Sequence, residues 1–222
     1  MKGLLPVLLV AGLTVRAAQA EEAALTPPRS GVIKVAFVLS EHATVIDFAG
    51  PWEVFQDTDT PIPFELFTVA PSRLPIHTSG GHGMTVTPDY AFEDAPRPDI
   101  VVIGAQSGGP GLSDWLQKTH RDGTVILSVC TGAFKVAQAG LLNGRTATTH
   151  HDYLDKFAQE FPNVRVVHSA RYVRSDPLIY TAGGLTSGVD LALHVVDSYF
   201  GRTVAQKTAD YMEYQSDAWK KP

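Results

Sequence analysis

The sequence is short of cysteine and of clustered positive charge, and each shortage excludes a class of protein. Its 222 residues contain a single cysteine, Cys130, so the fold cannot depend on an internal disulfide. The 18 lysines and arginines are outnumbered by 23 acidic residues and form no basic cluster, which leaves a formal net charge of −5. Binding to nucleic acid relies on concentrated positive charge, so we expect no nucleic-acid partner.

Long apolar runs are also missing after residue 20, and the one at the N-terminus has the layout of a signal peptide. Lys2 precedes an apolar stretch over residues 3–15, and Ala18-Gln19-Ala20 has the small-x-small pattern of a cleavage site. The stretch is short for a membrane span, and an uncleaved anchor is the alternative interpretation. We therefore expect a signal peptide over residues 1–20 and a mature protein that is periplasmic or secreted and not membrane-bound.

The remainder has the composition of one globular domain of the α/β class. Hydrophobic residues make up 44% of the sequence and charged residues 18%. A polar, proline-bearing leader over residues 21–31 precedes a single domain over residues 32–222. Short apolar strands alternate with helical patterns, which predicts a mostly parallel sheet covered on both faces. Strands are expected at 32–40, 64–70, 99–104, 124–129 and 178–182, and helices at 45–56, 113–120 (capped by Ser113), 132–139, 152–161, 189–200 and 203–212. A small hairpin is expected within 76–92, and 164–167 is expected to pair with 171–174.

Cys130 is expected at a sharp strand-to-helix turn. The apolar run at 124–129 leads up to it, and Gly132 opens the following helix where strand and helix must approach closely. A nucleophile elbow has this geometry, and the amides that open the helix favour a thiolate. The alternative is a buried structural cysteine, because unpaired cysteines are among the most buried residues.

Asp47 is the first candidate partner for the thiol. It follows the first predicted strand and lies between Ile46 and Phe48, which solvate a carboxylate poorly. A raised pKa would let it hydrogen-bond a thiol or carry a proton. It could instead be an ordinary acid in the first turn of a helix. We favour it over Glu53, which comes later in the same helix.

Further candidates lie at the ends of other strands. His150 could act as a base or orient the thiol, although adjacent His150 and His151 point to opposite faces of an extended segment. The amides of Thr131 and of Gly104-Ala105 could together form an oxyanion-type hole. No carboxylate or cysteine accompanies the other histidines, so we expect no metal site.

Four motifs in order resemble the ThiJ/PfpI superfamily over residues 32 to about 212. They are IDFAGPWEVF at 46–55, VCTGA at 129–133, GLLNGRTATTH at 140–150 and TSGVDLALH at 186–194. Within the superfamily, the sequence is similar to the branch of isonitrile hydratases and the ligand-binding halves of certain AraC-type regulators. The resemblance implies a flavodoxin-like three-layer sandwich, a cysteine elbow and a homodimer.

The resemblance also implies roles for three residues: Cys130 as nucleophile, Asp47 as its acid partner and Thr131 beside it. The expected function is an exported hydro-lyase that adds water to a small substrate through a Cys130 adduct, without a cofactor. Protease-like members carry histidine where Thr131 stands, so we expect no peptidase activity. The regulators continue into a helix-turn-helix domain, for which this sequence leaves no room. Two alternatives stay open: a non-catalytic ligand-binding or redox-sensing protein, and a glyoxalase-like enzyme.

Overall fold

The computed structural model describes residues 24–29 and 31–221, which form a three-layer α/β sandwich. The expected signal peptide lies outside the described residues, and so does part of the expected leader. Within the described part of the leader, the Leu25 N–H donates to the Ser198 carbonyl at 3.0 Å and its side chain packs on the core. Among the described residues, no helix combines the length and hydropathy needed to cross a bilayer.

A seven-stranded sheet forms the middle layer of the sandwich. The strands of the described residues are β1 (Ile33–Val38), β2 (Phe64–Ala70), β3 (Ile76–His77), β4 (Thr85–Val86), β5 (Tyr90–Ala91), β6 (Ile100–Ile103), β7 (Val125–Ser128), β8 (Thr146–Ala147), β9 (Arg165–Val166), β10 (Tyr172–Asp176) and β11 (Ile179–Ala182). The sheet has the strand order β10-β11-β7-β6-β1-β2-β5. Every neighbouring pair in it is parallel except β10 with β11, so the expected mostly parallel sheet is confirmed. The expected hairpin is confirmed as the antiparallel pair β3–β4.

Helices cover both faces of the sheet. The α-helices of the described residues are α1 (Val45–Gln56), α2 (Leu112–Arg121), α3 (Gly132–Gln138), α4 (Leu154–Glu160), α5 (Ser187–Phe200) and α6 (Arg202–Tyr211). Helices α1, α5 and α6 contribute to one core cluster, and α2, α3 and α4 contribute to the other. Short 3₁₀ helices precede α4 and follow α6.

Strand β1 shows why an almost wholly apolar strand suits the centre of this sandwich. Val35 and Phe37 belong to the core cluster on one face, whereas Ala36 and Val38 belong to the cluster on the other. Side chains alternate across a strand, so a strand buried on both faces needs apolar residues at successive positions.

Two sequence-based expectations about local structure are wrong. Residues 164–167 do not pair with 171–174: β9 pairs in parallel with β8, and β10 pairs with β11 across the turn at Pro177 and Leu178. The nearer strand in the chain supplies the partner for β10, since a hairpin closes the shorter loop. Ser113 does not cap α2, which begins one residue earlier after Gly111, at a φ of +77°.

Candidate active site

Cys130 occupies the elbow predicted between β7 and α3. Its φ is +57°, a left-handed conformation that is costly for a residue with a side chain. The Cys130 N–H donates to the Gly183 carbonyl at 2.8 Å, and the Thr149 hydroxyl donates to the Cys130 carbonyl at 2.8 Å. A Cβ at Gly132 would overlap the Ile103 carbonyl oxygen, so the elbow needs glycine there. Contacts from two neighbouring segments therefore hold the strained cysteine in place.

Asp47 lies in the first turn of α1 and is completely buried. Its Oδ2 accepts the Ala105 N–H at 2.9 Å. Its Oδ1 makes no hydrogen bond of ordinary geometry with any described residue, although the Cys130 thiol and the Leu185 N–H are close enough to lower its pKa. Burial outweighs these contacts and raises the pKa of Asp47 to about 6. The carboxyl group can therefore change protonation state near neutral pH.

The Cys130 thiol is 6% exposed, and its surroundings hold it in the protonated form. Burial is the main reason that its pKa rises to about 12, and the negative charge of Asp47 raises it further. The N–H groups of Thr131 and Leu185 act in the opposite direction but are weaker. The sequence-based expectation that helix amides favour a thiolate is thus outweighed by burial. At neutral pH the pair is a thiol that contacts a carboxylate.

The expected oxyanion-type hole differs in one member. The Ala105 N–H is already bonded to Asp47, so it positions the acid and is not available to a substrate. Gly104 contributes close packing, because a Cβ there would come within 2.5 Å of the Asp47 Cβ. The residues that follow β6 therefore hold Asp47 in place. The expected role of the Ala105 amide is wrong because the buried Asp47 carboxylate accepts its hydrogen bond.

Leu185 is a site residue that sequence reasoning missed. Its N–H interacts with both Cys130 and Asp47, and its φ is +53°. The turn that carries it follows β11 and precedes α5. The signal in the sequence was Gly183-Gly184, which marks a tight turn at a strand end, but the direction of one amide depends on tertiary packing.

Thr131 faces a polar cavity on one side of the elbow. The cavity has a volume of about 370 Å³ and is also lined by Gln106, Lys135, Tyr153 and Lys156. The Thr131 side chain is half-buried, and its backbone N–H interacts with the Cys130 sulfur. Thr131 therefore contacts the thiol through its backbone N–H and also lines the cavity.

His150 lies on the other side of the elbow, in a second cavity of about 410 Å³ that includes Arg171 and Leu185. Its ring packs so closely on Gly184 that a Cβ there would overlap it. The His150 Nδ1 accepts the Asp152 N–H at 3.2 Å, which places the proton of a neutral ring on Nε2. His150 can therefore donate a hydrogen bond into this cavity but is poorly suited to act as a base.

One group of side chains has the composition of a metal site. Ligand atoms of His150, His151 and Asp152 lie within 4.8 Å of one another. His150 Nδ1 is engaged by the Asp152 N–H, however, and a neutral ring then carries its proton on Nε2. Coordination would require one of these arrangements to change, so the group is not built as a metal centre.

Comparison with known proteins finds sequences that are similar to this chain over most of its length. Residues 33–198 match the model of the DJ-1/PfpI family. The chain is 28% identical to the isonitrile hydratase of Pseudomonas putida over 188 residues, which is 82% of this chain and 78% of that protein. It is 28% identical to the HTH-type transcriptional regulator GbdR of Pseudomonas aeruginosa over 192 residues, which is 82% of this chain but 50% of the regulator.

A solved structure supports the same grouping. The crystal structure of a ThiJ/PfpI family protein from Pseudomonas syringae superimposes with a TM-score of 0.69 and 27% identity, covering 83% of this chain and 76% of that one. The flavodoxin-like α/β fold expected from the sequence is confirmed. With the family model matching most of the chain, this protein belongs to the DJ-1/PfpI family.

Proposed function

We propose that the protein is a hydro-lyase of the isonitrile hydratase type, which converts an isonitrile and water into an N-substituted formamide. The observation that carries this proposal is the contact between the elbow thiol of Cys130 and the fully buried Asp47, whose pKa is raised to about 6. The reaction needs a nucleophile together with one group that gives and takes protons, and this pair supplies both. The likeness to the hydratase of P. putida supports the choice of substrate class.

The first half of the reaction forms a covalent adduct. The sulfur of Cys130 attacks the terminal isonitrile carbon while ionised Asp47 takes the thiol proton. Asp47 then gives this proton to the same carbon, which yields a thioimidate, Cys130–S–CH=N–R. Asp47 suits both steps because its raised pKa makes it a better base than an exposed carboxylate and leaves its acid form accessible.

The second half consumes water. Asp47 takes a proton from water as the oxygen attacks the thioimidate carbon, and this proton reaches the nitrogen. The remaining hydroxyl proton returns to sulfur as the carbon–sulfur bond breaks, which releases R–NH–CHO and restores the thiol. The Thr131 N–H, the Leu185 N–H and the His150 Nε2–H are the donors placed near the thiol or in the adjoining cavity to bind polar groups.

The decisive experiment measures formamide production from a panel of small isonitriles. Wild-type protein is compared with Cys130→Ser and with Ser128→Ala, a matched change in the strand that leads to the elbow. We expect turnover by the wild type and by Ser128→Ala, and none by Cys130→Ser. Folded wild-type protein that produces no formamide from any member of the panel would contradict the proposal.

A second candidate, ligand binding without turnover, is favoured by two observations. The thiol is held protonated, and the chain has the same identity, 28%, to the regulator GbdR as to the hydratase. In that case Cys130→Ser would leave ligand affinity unchanged while wild-type protein would turn nothing over. Export and a homodimer stay part of the proposal; cell fractionation and light scattering test them.

A further inference from the structure

An ion pair between half-exposed Arg171 and buried Asp190 lies beside the turn that carries Leu185. Asp190, in the first turn of α5, is completely buried, and its Oδ2 accepts Arg171 Nε at 2.6 Å and Nη2 at 2.5 Å. Its Oδ1 accepts the Ser216 hydroxyl at 3.0 Å. Because the Arg171 side chain is 42% exposed, solvent screens part of the attraction, and such a pair stabilises a fold only modestly. Its directed hydrogen bonds are better suited to fixing the relative position of the segments that it joins.

The pair is bonded to both ends of the turn between β11 and α5. At one end, the Arg171 carbonyl accepts the Gly183 N–H at 2.9 Å. At the other end, Arg171 Nη2 donates to the Thr186 hydroxyl at 3.0 Å. The Tyr214 hydroxyl reaches the Thr186 carbonyl at 3.4 Å. Arg171 therefore spans the turn, and Asp190 fixes the direction of the guanidinium.

The turn in question holds the nucleophile. Between its clamped ends, the Gly183 carbonyl accepts the Cys130 N–H at 2.8 Å. The Leu185 N–H interacts with the Cys130 sulfur and with Asp47, and Leu185 keeps a φ of +53°. A conformation of this kind persists only where the surrounding contacts impose it. The contacts of Arg171 at the two ends of the turn provide that constraint.

We propose that the Arg171–Asp190 pair is a positioning clamp, which keeps the 183–186 turn closed over Cys130 so that the thiol stays dry and directed at Asp47. The surroundings that set the pKa of the thiol are its burial, Asp47 and the amides of Thr131 and Leu185, so the clamp acts on the thiol through the turn that carries Leu185. Opening the clamp should hydrate the thiol, making it more reactive toward reagents in solution and less competent in catalysis. The reaction of the thiol with reagents should therefore become faster while catalysis becomes slower, a combination that a simple loss of activity would not produce.

The test compares two double variants that leave the net charge unchanged. Arg171→Gln/Asp190→Asn removes the clamp. Arg202→Gln/Asp197→Asn removes another ion pair between an arginine and an aspartate of α5, in which Arg202 Nε lies 2.7 Å from Asp197 Oδ2. The readout is the rate of Cys130 alkylation by iodoacetamide from pH 6 to 10, which reports a single site because the chain has one cysteine.

Without the clamp, we expect alkylation at pH 8 to rise about tenfold, with its pH midpoint moved down toward that of an exposed thiol. The control should stay within about twofold of wild type. With an isonitrile that the wild type turns over, the clamp variant should lose kcat with little change in KM. An unchanged alkylation profile, or an equal rise in the control, would overturn the proposal.

Two features keep the test decisive. Should the double variant fail to fold by circular dichroism, Thr186→Val retains the ion pair and the backbone bond between Arg171 and Gly183, and removes only the bond from the Arg171 side chain to the turn. We then expect a rise of about threefold in alkylation, and no rise would count against the clamp. The kinetic arm rests on the proposed hydratase function, whereas alkylation does not, so the two proposals can fail separately.

Discussion

Asp47 and Asp190 occupy equivalent positions in the fold and have opposite surroundings. Each lies in the first turn of a helix that follows a parallel strand, and each is completely buried. Asp190 is paired with Arg171 at 2.5 Å, whereas Asp47 has no cation against it among the described residues and contacts a thiol instead. The two acids therefore begin comparable helices but differ in what they contact, a cation for Asp190 and a thiol for Asp47.

The difference shows what turns a buried acid into a proton carrier. Burial without a positive partner raises the pKa of Asp47 to about 6, so it can exchange protons near neutral pH. The Asp190 carboxylate lies against a guanidinium and instead accepts directed, charge-assisted hydrogen bonds. The following predictions test this contrast, beginning with the largest effect.

Asp47→Asn should lower the turnover of an isonitrile by about 10²- to 10⁴-fold, because the amide keeps the shape of the carboxyl group but cannot carry a proton. Steady-state formamide production measures this, with Glu53→Gln as the control from the same helix. A loss of less than tenfold would show that Asp47 is not the proton carrier.

The two acids should have opposite effects on stability. The folded-state pKa of Asp47 lies above its ordinary value of 3.8, so its contribution to stability is complete below pH 3.8 and is lost as the pH rises through about 6. Asp47→Asn should therefore stabilise the fold by up to about 3 kcal/mol at pH 7.5 and have little effect at pH 3.5. Asp190→Asn should destabilise it by about 1–3 kcal/mol at pH 7.5, because hydrogen bonds to a charged carboxylate are lost. Urea unfolding at the two pH values decides, and the same sign for both variants would remove the contrast.

The pH dependence of kcat/KM should show an acid limb with an apparent pKa of about 6. Asp47 must be ionised to accept the thiol proton, so the rate should fall about fivefold between pH 6 and 5 and approach a tenfold fall per pH unit below that. Little further gain is expected between pH 7 and 9, because the pKa of Cys130 is raised to about 12. A rise that follows an ordinary thiol through pH 8.5 would contradict this assignment.

The smallest effect concerns the turn between the two acids. Leu185→Asn keeps the N–H while suiting a φ of +53° better, so it should stabilise the fold by about 0.5–1 kcal/mol and leave alkylation of Cys130 unchanged. Glu213→Asn relieves a φ of +52° elsewhere and is the matched control. Thermal unfolding measures the stability of both variants. A loss of stability in Leu185→Asn alone would mean that packing of the leucine side chain contributes more to stability than the strain at its φ costs.

Much of the fold was predictable, since its signals are local. Buried strands appear as apolar runs, and most predicted boundaries agree with the structure within a few residues. The elbow at Cys130 was also predictable, because an apolar run meets a glycine-bearing helix start within a few positions. The pairing of residues 164–167 was not, because β9 finds its partner β8 well upstream in the chain.

The candidate site divides in the same way. Cys130 and Asp47 were identified from their own neighbours in the sequence, and the structure brings them into contact. The amide of Ala105 was assigned to a substrate, but in the folded chain it binds Asp47. Gly183-Gly184 marked a turn near Leu185, but neither the direction of the Leu185 amide nor the pairing of Arg171 with Asp190 could be read locally, because both arise from segments that meet only after folding.

The sequence by itself indicated the fold class, the position of Cys130 on an elbow and Asp47 as its candidate acid partner. Periodicity, turn residues and motifs act over a few positions, so they can be read along the chain. Only the tertiary structure decided the protonation of Asp47 and Cys130 and the position of the Arg171–Asp190 ion pair. Burial and amide direction depend on how distant segments pack, and these two quantities set the pKa values of Asp47 and Cys130.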